Sequence, residues 1–203
     1  ENLANLCYEK SIKLIHISTD YVFDGTNHIP YTETNIPNPQ SVYGKTKLDG
    51  ELVLKKINPP NSVIIRTSWV YSRFGKNFVK TMIDLGKSKS EITVVNDQFG
   101  SPTNALDLAK VIISIIPKIN NQNVELFHYA NSGSCNWYEF ASEIFKLNKT
   151  NIVLKPISTN EFPTRAIRPK YSVLNTAHIS KTFDLIIPNW VDSLKYFSKH
   201  IKP

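Results

Sequence analysis

One stretch near the start of this chain leaves few folds open. Residues 12–18 are apolar enough for a short strand, which stops at Thr19. A loop containing Pro30, Pro37 and Pro39 follows, and then a helix carrying Tyr43-Gly44-Lys45-Thr46-Lys47. In an open α/β sheet, ligands collect beyond the C-terminal ends of the strands, so a hydroxyl at position 19 can meet a helix-borne Tyr/Lys pair there. On a helix, residues four apart share one face, which brings the phenol and the ammonium together. The chemistry this suits is reduction of a carbonyl. A hydride added to a ketone leaves an oxyanion that must be held and protonated. Tyrosine is a weak acid, with an ordinary pKa of about 10, unless a nearby ammonium favours the phenolate. The Tyr-x-x-x-Lys spacing is weak evidence by itself in a lysine-rich chain with nine tyrosines. Its place after a strand-end hydroxyl is what gives it meaning.

The rest of the chain alternates in the same way. Helical spacing covers residues 1–10, 39–57, 77–86, 104–116, 134–147 and 190–200, the helix near 136 placing Trp137, Phe140, Ala141, Ile144 and Phe145 on one face. Extended segments are expected at 62–70, 92–96, 126–130 and 152–156. Asn104 is placed to cap one helix and Pro117 to end it. Strands alternating with helices imply an α/β domain built on a parallel sheet.

Ser18-Thr19-Asp20-Tyr21-Val22-Phe23-Asp24-Gly25 is a narrower signal than the Tyr/Lys pair, and further blocks follow it in order. They are Arg66-Thr67-Ser68-Trp69-Val70-Tyr71, Lys76-Asn77-Phe78, Asn96-Asp97-Gln98-Phe99-Gly100-Ser101-Pro102-Thr103, Ala166-Ile167-Arg168-Pro169 and Tyr171-Ser172-Val173-Leu174. On these residues the chain resembles the extended, nucleotide-sugar branch of the short-chain dehydrogenase/reductase superfamily. Within that branch it is most similar to the dTDP-4-dehydrorhamnose reductase family, along nearly its whole length.

The resemblance implies a Rossmann-like doubly wound parallel sheet with a small C-terminal substrate-binding lobe. The sheet part would cover roughly residues 1–130 of the 203, and the lobe would draw on segments near 72–105 and 131–203. It implies reduction of the 4-keto group of dTDP-4-dehydro-L-rhamnose, or a similar nucleotide sugar, with NADPH or NADH. Thr19, Tyr43 and Lys47 would be catalytic: Thr19 on the C4 carbonyl, Tyr43 as proton donor, and Lys47 beside the tyrosine and on the nicotinamide ribose. Tyr43 and Lys47 would thus also bind the cofactor. Substrate contacts would come from Thr19, Tyr21, Trp69, Asn77, Gln98, Thr103 and Arg168. Trp69 stacks on the sugar or packs in the core, and Tyr21 points into the cleft or into the core. Asn77 and Thr103 serve the ligand or act as ordinary loop or cap residues. Arg168 forks on phosphate oxygens or makes a surface ion pair. The resemblance also admits a homodimer, a related epimerase or reductase of another 4-keto sugar, and a non-catalytic relative of the methionine adenosyltransferase regulatory subunit.

The family's glycine-rich phosphate-binding turn is not found in the sequence. The seven glycines form no G-x-G or G-x-x-G cluster, and the only methionine is Met82. The expectation is therefore that the chain is the C-terminal portion of a longer reductase, its N-terminal strands missing. A piece starting at Glu1 is then expected to be fragile or associated, and unable to hold the cofactor. Composition, 41% hydrophobic and 20% charged, fits a soluble globular protein, and a cytoplasmic one is expected. Apolar runs such as 111–117 are far too short to span a membrane. The net charge of +7 comes from dispersed lysines with no nucleic-acid-binding motif, which argues against a nucleic-acid partner and suits phosphate-bearing ligands. Cys7 and Cys135 are too few for a disulfide framework, and the five histidines show no metal-ligand spacing, so no metal site is assigned.

Overall fold

The structure is a computed structural model and describes residues 1–164 and 166–200; the last three positions of the expected 131–203 segment lie outside the described residues. Helix α1 (Asn2–Lys10) ends at Ser11 in a left-handed conformation and leads into strand β1 (Leu14–Thr19). A single 3-10 turn, Asp20–Val22, follows, and the chain then wanders to Ser41. The Ser41 side chain accepts a hydrogen bond from the Gly44 N–H and so caps helix α2 (Val42–Ile57). That cap explains why the helix begins at 42 and not at 39. Strand β2 (Ser62–Thr67) comes next.

The extended segment expected over 62–70 is broken at its end. Trp69 adopts a φ of 48° and turns the chain, so that β3 (Val70–Tyr71) pairs elsewhere. Helix α3 (Phe78–Ser88), capped by Asn77, and strands β4 (Glu91–Val95), β5 (Phe99–Gly100) and β6 (Thr103–Asn104) follow. Helix α4 (Ala105–Ile115) has Asn104 as its cap and passes into a 3-10 turn, Ile116–Lys118, that contains Pro117. Strand β7 (Glu125–His128), strand β8 (Cys135–Asn136), helix α5 (Trp137–Leu147) and strand β9 (Val153–Ile157) come next. Asn136 and Glu139 close a full capping box at the start of α5. Helices α6 (Ala177–Phe183) and α7 (Trp190–His200) complete the chain. Helix α6 was not anticipated; it is seven residues long and offers only Ile179 and Phe183 as a buried pair, too little for a periodic signal.

The larger sheet has the order β1-β2-β7, all parallel. Its central strand β2 is buried at every position. Side chains alternate along it: Val63 and Ile65 join the core under α4 and α6, while Ile64 packs with Ala4 of α1 and Leu54 of α2. Helices therefore cover both faces, as a doubly wound parallel sheet requires. The second core is built around the parallel pair β4–β9, with α3, α5 and α7 contributing Met82, Phe140, Ile144 and Leu194. Helix α6 lies within the 131–203 segment but packs on the larger sheet through Ile179 and Phe183.

Helix α2 approaches the turn after β1 so closely that a Cβ at Gly44 would lie 2.1 Å from the Tyr21 carbonyl oxygen. Backbone stands in the way, so no rotamer change can relieve the contact. Gly44→Ala should cost about 1–3 kcal/mol through overpacking, measured by denaturant unfolding; a loss below about 0.5 kcal/mol would show that α2 can move aside at no cost.

Candidate active site

The site is assembled from strand ends. Thr19 is the last residue of β1, and in the parallel register it stands beside Thr67, the last of β2. Tyr43 and Lys47 lie in the first turns of α2. Together with Tyr21, Trp69, Trp137 and Arg168 they line one open cleft of about 410 Å³. Tyr43 is 55% exposed, so its ring is available to a ligand instead of being spent on the core. It meets the edge of the Tyr21 ring at 5.8 Å. The Lys47 ammonium donates to the Ile17 carbonyl at 2.6 Å. One such bond leaves two of its three N–H donors for other partners.

Thr19 accepts a hydrogen bond from the Tyr21 N–H at 3.2 Å and donates its own hydroxyl to Asp20 at 3.1 Å. Asp20 is buried, and one of its carboxylate oxygens has no partner. Burial pushes its carboxyl up to about 6, partly offset by the hydroxyls of Ser172 and Thr19. The Tyr21 hydroxyl is pushed up as well, first by burial and then by the Asp20 charge, with Arg168 acting in the opposite sense.

Trp69 does not stand alone. Its indole stacks on Trp137, with ring centres 3.5 Å apart and planes within 8°, and it also lies against Gly100. Trp137 is held in turn by its indole N–H, which donates to the Gln98 side-chain carbonyl at 3.2 Å, while the Gln98 amide donates to Thr159. Gln98 is thus buried behind the aromatic pair, and it lines a smaller cavity of about 100 Å³ with Phe78, Met82 and Val94. Trp137 and Arg168 line both this cavity and the main cleft. Arg168 is exposed, and among the described residues no carboxylate lies within ion-pair distance of it. Its loop is brought in by Gly25, whose φ of 81° and contact with Pro169 admit no side chain.

The two remaining sequence candidates fall outside the cleft. Asn77 caps α3, accepting from the Lys80 N–H and donating to the Ser72 carbonyl at 2.6 Å. Thr103 is fully buried in β6, its hydroxyl 3.4 Å from that of Thr67. Sequence reasoning missed Trp137 as a cleft residue, because its spacing with Phe140 and Ile144 marks it equally well as core. It also missed a buried contact of Arg66 with Glu51 behind the cleft, since nothing local links a strand residue to a helix residue fifteen positions earlier.

Residues 1–202 match the family described as the RmlD substrate binding domain. A curated dTDP-4-dehydrorhamnose reductase from Sinorhizobium fredii is 40% identical over 95% of this chain and 68% of its own length. This chain belongs to the dTDP-4-dehydrorhamnose reductase family. Solved structures agree. The family member from Clostridium acetobutylicum superposes with a TM-score of 0.91 at 46% identity, over 98% of this chain and 69% of its own. The Bacillus anthracis reductase, solved in complex with NADP, gives a TM-score of 0.91 at 41% identity, over 97% of this chain and 68% of its own. The chain therefore spans about two thirds of the length of these family members. No helix among the described residues is long and apolar enough to cross a membrane.

Burial of Asp20 makes the stability of the fold depend on pH. The native state holds this proton more tightly than the unfolded chain, whose value is near the ordinary 3.8. Its contribution is most favourable below about pH 4 and is lost as pH rises toward about 6. Relative to the wild type, Asp20→Asn should therefore gain about 2–3 kcal/mol of stability between pH 4 and 7. Unfolding curves at both pH values test this, and a stability difference independent of pH would refute it.

Proposed function

We propose that this chain carries the substrate-binding and proton-transfer parts of an NAD(P)H-dependent reductase acting on the C4 ketone of dTDP-4-dehydro-L-rhamnose. The observation that carries the reading is the convergence of Thr19, Tyr43 and Lys47 on one cleft at the C-terminal end of a parallel sheet. The names of the family members supply the substrate. The exposed Tyr43 and the unspent donors of Lys47 fit the nicotinamide ribose of the cofactor. When bound, NAD(P)H supplies the hydride.

The chain's own residues then handle the oxygen. Thr19, turning its hydroxyl proton away from Asp20, hydrogen-bonds the C4 oxygen and orients the carbonyl. As the carbonyl π pair moves onto oxygen, Tyr43 donates its proton and the ketone becomes an alcohol. The Lys47 ammonium stabilises the phenolate left behind. The Trp69–Trp137 stack forms a flat apolar wall for the hexose. Arg168, open to both cavities, offers a planar fork for the diphosphate, with the nucleoside directed toward the smaller, Phe78-lined space. A cytoplasmic location follows from the need for reduced cofactor and nucleotide sugar in one compartment.

Tyr43→Phe removes the proton donor and little else. In a protein of the relatives' full length carrying this chain, turnover of dTDP-4-dehydrorhamnose with NADPH should fall about 10²–10⁴-fold, with the circular dichroism spectrum and melting point unchanged. Turnover within about tenfold of the wild type would exclude Tyr43 as the acid.

A further inference from the structure

Behind the cleft, out of reach of any substrate, lies a fully buried charge pair. Glu51 of α2 and Arg66 of β2 are each 1% exposed. The Arg66 Nε donates to Glu51 Oε1 at 2.9 Å and Oε2 at 3.2 Å, and its Nη2 donates to Oε2 at 2.6 Å. The guanidinium lies over the Phe23 ring at 5.0 Å. The Ser18 hydroxyl, one residue before Thr19, donates to the same carboxylate.

Stability is a poor reason for this pair. Desolvating two charges can cost more than their attraction returns, and apolar residues of similar volume often serve a core as well or better. A bidentate fork does supply direction, because it fixes angle as well as distance.

That direction is applied to the helix carrying Tyr43. Residues 44, 47 and 51, spaced three and four apart, lie on one face of α2. Gly44 abuts the Tyr21 carbonyl, Lys47 is bonded to the Ile17 carbonyl, and Glu51 takes the Ser18 hydroxyl. These contacts fall within two residues of Thr19 on either side. Arg66 ties the same face to β2, the middle strand of the sheet, paired on both sides by β1 and β7.

We propose that the Glu51–Arg66 pair is a positioning device that sets the rotation and height of α2 on β1 and β2. It thereby holds the Tyr43 hydroxyl and Lys47 ammonium at working distance from Thr19. Both are positioning residues and touch neither substrate nor cofactor. The kinetic part of the proposal rests on the reductase reading above.

The test compares Glu51→Gln, Arg66→Lys and the apolar double variant Glu51→Leu/Arg66→Met, in a protein of the relatives' full length carrying this chain. In the double variant kcat should fall about 10- to 100-fold, the scale expected for a displacement of about 1 Å. KM should change less than about threefold and the melting point should hold or rise, the single variants losing about as much kcat as the double. A merely structural role would instead make activity follow the folded fraction. Crystal structures of the variants give a readout independent of any reaction: the Tyr43 Oη to Thr19 Oγ1 separation should change by about 1 Å. If the double variant does not fold, Glu51→Gln, which keeps the shape, and Arg66→Lys, which keeps the charge, carry both readouts. Folded variants with α2 superimposed on the wild type would overturn the proposal, as would kcat within twofold of it. A wild type without reductase activity would count against the reductase reading alone, and the crystallographic comparison would still decide the positioning role.

Discussion

Parallel pairing of β1 and β2 is the constraint on which the rest of the site depends. Two parallel neighbours cannot be joined by a tight turn; the chain must leave from the C-terminal end of the first strand and return to the N-terminal start of the second. The crossover out of β1 therefore begins where Thr19 stands, and the N-terminal turns of α2 lie at that end of the sheet. Tyr43, in the first turn, and Lys47, in the second, are brought toward Thr19 by topology before any specific contact forms. The in-register end of β2 at Thr67 closes the same rim, and the turn at Trp69 directs an indole across it.

Topology supplies proximity, and buried polar contacts refine it. Along the face of α2 that meets β1, a glycine, a lysine and a glutamate make successive contacts, each with backbone or a buried hydroxyl. None is an efficient source of stability. Gly44 weakens a helix, and Glu51 and Arg66 give up hydration that their pairing only partly replaces. Asp20 is a further case: a carboxyl raised by burial stands next to the Thr19 hydroxyl, with which it is hydrogen-bonded. The region around Thr19 concentrates groups that are costly to bury, while the apolar cores under α4, α6 and α5 supply the stability that tolerates them.

The second core gives the cleft its other wall. Trp137 is the first residue of α5, placed there by the Asn136–Glu139 capping box, and it meets Trp69 from the opposite element. Gln98 and Thr159 lock it from behind, and both indoles pack against this second core. Arg168 comes from a third direction, on a loop that passes close over Gly25.

Local chemistry wrote much of this into the sequence. The apolar run that becomes β1, the Asn104 and Asn136 caps, the helical spacing of Tyr43 and Lys47 and the hydroxyl at the strand end depend only on neighbours a few residues away. So the α/β alternation and the meeting of Thr19, Tyr43 and Lys47 at one cleft were readable directly. Helix α6 was not, because seven residues with one buried pair carry too little periodicity. The positions of Asn77 and Thr103 outside the cleft were not, since an amide or hydroxyl reads the same whether it caps a helix, fills a core or faces a ligand. Trp137 could not be separated from the core residues that share its helical face. The link from Glu51 to Arg66 had no local trace at all, because it exists only once α2 is laid across β2. Spacing along the chain thus determined which reactive groups this protein brings to the end of the sheet. Packing between elements distant in sequence decided where each group stands, since only there do burial, stacking and a fixed ion pair come into being.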